Sequence, residues 1–163
     1  MIDLKEIKNK ILKKENFIFG CLIVIIFYLD RISKIKILED FSDSTYFINN
    51  FLNLDLIWNI GIGFGFLSTE SDLLYNFISF VIAAILLVLF YLLLNSEILD
   101  KIIYTIIIGG ALGNFYDRLV FNAVPDFIDL HFKNFHWFTF NVADIFISLG
   151  IIFFLLRSFF VKE

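Results

Sequence analysis

The sequence predicts an all-α polytopic membrane protein, with four transmembrane helices and a small β-rich extracytoplasmic cradle between helices 1 and 2. Hydrophobic residues make up 60% of the 163 residues, well above the roughly 45–50% of soluble domains. Four segments approach the about 20 apolar residues that a membrane-spanning helix needs. No repeat or linker divides the chain, so residues 1–163 are predicted to form a single membrane-embedded domain.

The four predicted spans cover about residues 16–36, 73–95, 102–121 and 141–160. The second span has no charged residue between Leu73 and Leu94, so it is expected to contact only lipid and neighbouring helices. The other three spans are interrupted by acidic and basic residues. A charged group near hydrocarbon is costly unless it is paired or hydrated, so these interruptions predict where the function lies.

Lysine and arginine indicate the orientation, because they stay on the cytoplasmic side of short flanking segments. Five lysines lie in the first 16 residues, whereas residues 37–72 contain neither lysine nor arginine. This difference predicts a cytoplasmic N-terminus. With four spans the C-terminus, which carries Arg157 and Lys162, is cytoplasmic as well, and the segments 37–72 and 122–140 face outward.

The outward segment between the first two spans is predicted to form a cradle on the membrane surface, at about residues 40–68. Its stretch FLNLDLIW, residues 51–58, alternates apolar and polar residues with the period of a strand. Glycines follow at positions 61, 63 and 65, where they permit tight backbone geometry. This stretch lacks the helix signature of a phosphate-binding loop, so no nucleotide is predicted here.

The ionisable residues that interrupt the spans collect near the outer face. They are Asp30, Arg31 and Lys34 in span 1, Asp117 and Arg118 in span 3, Asp126 in the following loop and Asp144 at the start of span 4. Simpler interpretations exist for single residues. Asp30 and Lys34 are spaced as a helical ion pair, and Asp144 is placed to stabilise a helix N-terminus. The cluster as a whole predicts a functional site.

Several kinds of catalytic chemistry lack the residues that they need. His131 and His136 do not have the spacing of a zinc protease, and Cys21 lies in a different part of the predicted topology. No serine stands in a GxSxG or SxxK pattern. The sequence therefore predicts no metal and no cofactor. Nucleic acid is an unexpected partner for a chain of this composition.

Carboxylates are plentiful, and they favour acid–base hydrolysis. Two carboxylates at a partly desolvated site share a proton, so one accepts a proton from water while the other donates to the substrate carbonyl. Asp126 and Asp144 are the best pair, because both are near water and the loop between them can fold back. Asp117 and Asp129 remain open as alternative partners of Asp144.

Five motifs at these residues resemble those of the lipoprotein signal peptidase family, also called signal peptidase II. They are LDRISK at 29–34, WNIGIGFGFL at 58–67, GGALGNFYDR at 109–118, PDFID at 125–129 and FNVAD at 140–144. The resemblance spans nearly the whole chain. The sequence departs from the family at Arg31, where glutamine is common, and at Ile62 and Gly63, where two alanines are usual.

The resemblance implies that Asp126 and Asp144 form the catalytic pair, and it removes Asp117 from that role. Eight further residues are implied to bind substrate or to support the site: Asp30, Lys34, Asn59, Gly61, Asn114, Asp117, Arg118 and Asn141. Among them, Asp117 and Arg118 are implied to order the surroundings of the site.

The implied activity is cleavage of a prolipoprotein on the amino side of a cysteine that carries diacylglycerol. The implied location is the bacterial inner membrane, with the site at the outer face, contact with membrane lipid, and a monomeric state. Two other classes remain as alternatives: a small transporter and a noncatalytic scaffold. A scaffold would tolerate carboxamide substitutions of the aspartates, and a transporter would need polar groups at mid-depth.

Overall fold

The chain folds into four helices and four strands in a computed structural model that describes residues 13–41, 44–61 and 72–160. The helices are α1 (Lys14–Asp40), α2 (Asp72–Asn95), α3 (Ile98–Phe121) and α4 (Val142–Phe160). The strands are β1 (Tyr46–Asn49), β2 (Leu52–Asn59), β3 (Val124–Phe132) and β4 (Phe135–Phe140). The remainder of the predicted cradle, including Ile62, Gly63 and Gly65, lies outside the described residues.

Three of the described helices are long and apolar enough to cross a membrane. Their candidate spans are Leu73–Asn95, Ile98–Phe121 and Val142–Phe159. Apolar side chains on their outer surfaces remain exposed, and Leu87 and Phe159 are examples. A helix with exposed apolar side chains is expected where lipid, and not water, surrounds it. The predicted first span falls within α1, which is not one of these three helices.

Helix α3 is the centre of the helical bundle, because α1, α2 and α4 all pack against it. Glycines on α3 allow this close packing. A Cβ atom on Gly109 would meet Ile26 of α1, and one on Gly110 would meet the backbone oxygen of Ala143 at the start of α4. Small residues at such positions let helix backbones approach closely where hydrophobic burial cannot drive association.

The sheet is an antiparallel meander with the strand order β1-β2-β3-β4. The expected cradle between helices 1 and 2 supplies only β1 and β2, and the segment 122–140, interpreted from sequence as a loop, supplies β3 and β4. That interpretation was wrong because it overlooked the segment FHWFTF, residues 135–140, whose aromatic residues favour a strand. Lys133 turns the hairpin between these strands with a φ of 55°.

Register in the sheet sets which side chains meet. Ile57 pairs with Asp126 and Asn59 pairs with Val124, so Asn59 and Asp126 lie on the same face of β2 and β3. Asp129 pairs instead with Asn53. Since Asp129 is three residues from Asp126 along the strand, its side chain points to the opposite face.

Replacement of Gly113 by alanine is expected to disturb the packing of α1 on α3. The added Cβ would collide with the carboxylate of Asp30, and overpacking of this kind costs about 1–3 kcal/mol of stability. Gly20→Ala is the matched control, because a Cβ there meets nothing within 4 Å. Thermal unfolding in detergent should therefore show a loss of stability for G113A only. Equal midpoints for the two variants would contradict this packing.

Candidate active site

The structure brings Asp126 and Asp144 together at one end of the bundle. Asp126 lies on β3 and Asp144 in the first turn of α4, and they are 2% and 8% exposed. Asn141 contacts both carboxylates: its side-chain Nδ2 donates to Asp126 Oδ1 over 2.5 Å, and its backbone N–H donates to Asp144 Oδ2 over 3.2 Å. The pair chosen from sequence therefore shares one partner.

The second oxygen of each carboxylate also accepts a hydrogen bond from an asparagine. Asn59 Nδ2 donates to Asp126 Oδ2 over 2.8 Å, and Asn114 Nδ2 donates to Asp144 Oδ1 over the same distance. All three asparagines that the family resemblance implied, including Asn141, thus donate to the pair. A neutral amide is a weaker partner for a carboxylate than a charged donor.

A second contact fixes the orientation of each of these amides. The Oδ1 atom of Asn59 accepts from the backbone N–H of Gly61 over 2.8 Å, and that of Asn141 accepts from the backbone N–H of Asp144 over 3.1 Å. The Oδ1 atom of Asn114 accepts from Lys34 over 2.9 Å. Because each carbonyl oxygen is occupied in this way, each amide nitrogen must point toward a carboxylate.

Asp144 also caps a helix, as the simpler interpretation of the sequence expected. Asn141 and Asp144 exchange hydrogen bonds across the N-terminus of α4 in the arrangement of a capping box. The cap and the site are compatible, because the other oxygen of Asp144 accepts from Asn114 at the edge of a cavity. The cap holds the carboxylate in a fixed position.

A buried ion network supports the pair from α1 and α3. The ammonium of Lys34 donates to Asp30 over 2.7 Å, to Asp117 over 2.6 Å and to Asn114. Lys34, Asp30 and Asp117 are each 0% exposed. The helical ion pair expected from the spacing of Asp30 and Lys34 is thus present, but in the interior and with a third charge. The other oxygen of Asp30 accepts from the backbone N–H of Ala143 over 3.0 Å.

Two aspartates that the sequence left open are occupied elsewhere. Asp117 uses one oxygen for Lys34 and the other for Arg31. Asp129 faces away from Asp126. It lies 2.8 Å from His136 Nδ1, which donates to it in the tautomer that is protonated at Nδ1, and it accepts a long hydrogen bond from Asn53. Asp126, in contrast, shares the donor Asn141 with Asp144, so the geometry favours Asp126 as its partner.

Arg118 connects α3 to the segment after β2. Its guanidinium donates to the backbone oxygen of Gly61 over 2.7 Å and to that of Asn114 over 3.1 Å. Its own backbone oxygen accepts from the hydroxyl of Tyr75 on α2. The Tyr75 contact could not be predicted from sequence, because an isolated tyrosine in an apolar span belongs to no motif.

Burial, together with the neighbouring charge of Asp144, raises the pKa of Asp126 to about 6. The hydrogen bonds from Asn59 and Asn141 oppose this shift without cancelling it. A carboxyl with such a pKa retains a proton well above the range of an ordinary aspartate. The pair is therefore suited to hold one proton up to about pH 6.

An apolar cavity of about 340 Å³ opens beside the pair, between α2, α3 and α4. Polar groups line one end: Asn114, Arg118 and Asp144. The rest of the wall is almost entirely apolar: Ile82, Ile85, Leu86, Leu89, Ile107, Ala111, Ile147, Ser148 and Ile151. Such a cavity can receive an extended apolar group and bring its polar end to the carboxylates.

The described part of the chain contains no cluster of side chains that could bind a metal ion. Within residues 13–41, 44–61 and 72–160, no three side chains of histidine, cysteine, aspartate or glutamate come together so as to hold a metal ion. His131 and His136 stack with ring centres 5.5 Å apart, on the hairpin of β3 and β4.

The helical bundle, the paired carboxylates and the apolar cavity define the class as a membrane-embedded enzyme. Two solved structures of a bacterial membrane enzyme, obtained by the in meso method, have this fold. The first has a TM-score of 0.74 at 26% identity and covers 89% of this chain and 93% of its own. The second has a TM-score of 0.72 at the same identity and coverage.

Sequence comparison identifies the family. The profile of the family described as "Signal peptidase (SPase) II" matches residues 22–160. A lipoprotein signal peptidase of Pelagibacter ubique is 45% identical over 146 residues, which are 88% of each chain. One of Anaplasma marginale is 41% identical over 137 residues, covering 82% of this chain and 79% of its own. The chain belongs to the signal peptidase II family, and it is therefore a bacterial membrane protease.

The pH dependence of stability is expected to change in Asp126→Asn. The folded state raises the pKa of Asp126 above its ordinary value, so wild-type stability is full below about pH 4 and decreases as the pH rises through about 6. A shift of about two units corresponds to roughly 3 kcal/mol. Thermal unfolding between pH 4 and 8 should show a smaller loss in D126N, which cannot titrate there. A loss equal to that of wild type would contradict the assignment.

Proposed function

We propose that Asp126 and Asp144 form the catalytic pair with which this protease removes the signal peptide from prolipoproteins. One observation carries the proposal: Asn141 bridges two buried carboxylates, and one of them, Asp144, lines the polar end of an apolar cavity. Asp126 is the group that carries the proton, in agreement with its raised pKa.

The proposed reaction adds water directly to the scissile carbonyl. Asp144, ionised, takes a proton from the attacking water while Asp126, protonated, donates its proton to the carbonyl oxygen. In the second step the protonated carboxyl gives its proton to the leaving amine, and the other recovers the proton of the hydroxyl group. The proton taken up in the first step is released in the second, so the pair returns to its starting state.

The proposed substrate carries diacylglycerol on the cysteine that follows the cleaved bond. Acyl chains hold such a cysteine at the membrane surface, so a site at that depth meets the bond already positioned. The apolar wall of the cavity suits the adjoining apolar signal segment. The four-stranded sheet, whose exposed aromatic residues include Phe135 and Trp137, is placed to contact the membrane interface.

The proposed topology has four spans, with α1 as the first. Both termini are then cytoplasmic, and the pair faces the outer side of the bacterial inner membrane as a monomer. The ion network supports α1 as a span, because Asp30 and Lys34 are fully buried against α3 and are not left in contact with lipid. The apolar lower part of the cavity disfavours a transporter, which would need polar groups at that depth.

Carboxamide substitution is expected to abolish cleavage while leaving the fold intact. D126N and D144N each remove one acid–base group, so cleavage should decrease at least about 1,000-fold. The assay follows loss of the signal peptide from a diacylglyceryl-modified prolipoprotein incubated with purified enzyme in detergent.

The matched control is D129N, because Asp129 is equally buried on the same strand but faces His136. This variant should retain cleavage within about tenfold of wild type. If D126N and D144N cleave as well as D129N does, the aspartates only stabilise the fold and the catalytic assignment is wrong. A wild-type enzyme that fails on a verified substrate would contradict the proposed substrate.

A further inference from the structure

Arg31 makes three contacts beside the site. Its guanidinium forms an ion pair with Asp117, and it lies 4.7 Å from the ring centre of Tyr116 and 6.0 Å from that of Phe121. The side chain is only 11% exposed. Stacking on aromatic rings holds a guanidinium without neutralising it. A positive charge is therefore held in a fixed position next to the buried network.

A continuous series of contacts leads from Arg31 to the catalytic pair. Asp117 accepts from Arg31 on one oxygen and from Lys34 on the other. The same ammonium donates to Asn114, and the amide of Asn114 donates to Asp144. Each member after Arg31 is at least nine-tenths buried. Charges act over longer distances in such an environment than in water.

The described residues along this route nearly balance in charge. Four carboxylates belong to it, from Asp30, Asp117, Asp126 and Asp144, and three cations, from Arg31, Lys34 and Arg118. With every group ionised, the set would carry one net negative charge. One bound proton makes the set neutral, and a neutral set is the least costly in a buried site. Without Arg31, neutrality would require two bound protons.

We propose that Arg31 is a positioning residue for the catalytic proton. Its positive charge reduces the net charge of the buried set to one negative charge, so that Asp126 and Asp144 together hold one proton and not two. The effect on cleavage rests on the proposed function. The effect of Arg31 on the protonation of the pair does not. The motif comparison did not assign it, since Arg31 departs from the glutamine common in the family.

No other described element facing the pair alters this balance. On β2 the polar group that contacts the pair is the uncharged amide of Asn59, and at the start of α4 it is the uncharged amide of Asn141, which immediately precedes the helix. On α2 the phenol of Tyr75 contacts Arg118 and is uncharged at neutral pH. The charges of α1 and α3 are those already counted.

Replacement of Arg31 by an uncharged residue is expected to raise the pH at which Asp126 loses its proton. A nearby cation favours the ionised carboxylate, so its removal raises the pKa of Asp126. At an effective dielectric constant of about 20, a charge about 10–15 Å from a titrating group shifts its titration by about one unit. The basic limb of kcat/KM and the midpoint of the stability loss should both move upward by about that amount.

The experiment compares wild type with R31Q, R31M and R31K between pH 4 and 8. Thermal unfolding is measured for each protein, and cleavage profiles are normalised to their own maxima because the loss of stacking lowers activity by itself. R31K retains the charge without the planar stacking group, so its midpoints should remain near those of wild type. R157Q is the matched control, since Arg157 pairs with Asp100 on a different part of α3.

The two readouts separate the two proposals. If wild type does not cleave, the proposed function fails, and the unfolding midpoints still test the role of Arg31. Upward shifts in either neutral variant, absent from R31K and R157Q, support the inference. Unchanged midpoints in both neutral variants, or an equal shift in R31K, would overturn it, because Arg31 would then contribute packing and not charge.

Discussion

The ammonium of Lys34 is the contact on which the rest of the site depends. It joins α1 to α3 through Asp117, pairs with Asp30 on its own helix, and fixes the amide of Asn114 that reaches Asp144. Three charges with no exposure to water stay together only if each is paired, because an unpaired buried ion is strongly destabilising. The same constraint that holds the helices together therefore also orients one half of the proposed catalytic pair.

The proposed catalytic pair has the opposite environment, although only the amide of Asn114 separates Asp144 from Lys34. Asp126 and Asp144 accept hydrogen bonds from asparagine side-chain amides and from one backbone N–H, and no described cation forms a salt bridge with either carboxylate. Such donors satisfy a carboxylate without fully stabilising its charge. Desolvation can then hold a proton at the pair, whereas Asp30 and Asp117 are fixed in salt bridges. This division lets one small bundle contain both structural and acid–base carboxylates.

The sequence predicted the helices and the candidate pair because both leave local signals. Apolar runs give the helices, and PDFID and FNVAD give the two aspartates. It did not predict β3 and β4, since the segment before FNVAD was interpreted as a loop. It also could not predict that Asn141 contacts both carboxylates, because that contact depends on how β3 and α4 meet in space. The contact of Arg31 with Asp117 was hidden for the same reason.

The proposed mechanism requires that the pair hold one proton at mildly acidic pH and that Asp126 carry it. Infrared spectra of the purified protein between pH 4 and 8, recorded for wild type and for D126N, measure protonated carboxyl groups directly. One carboxyl band that titrates near pH 6 is expected in wild type and should be missing from D126N. A band that persists unchanged in D126N, or no band in wild type at pH 5, would contradict it.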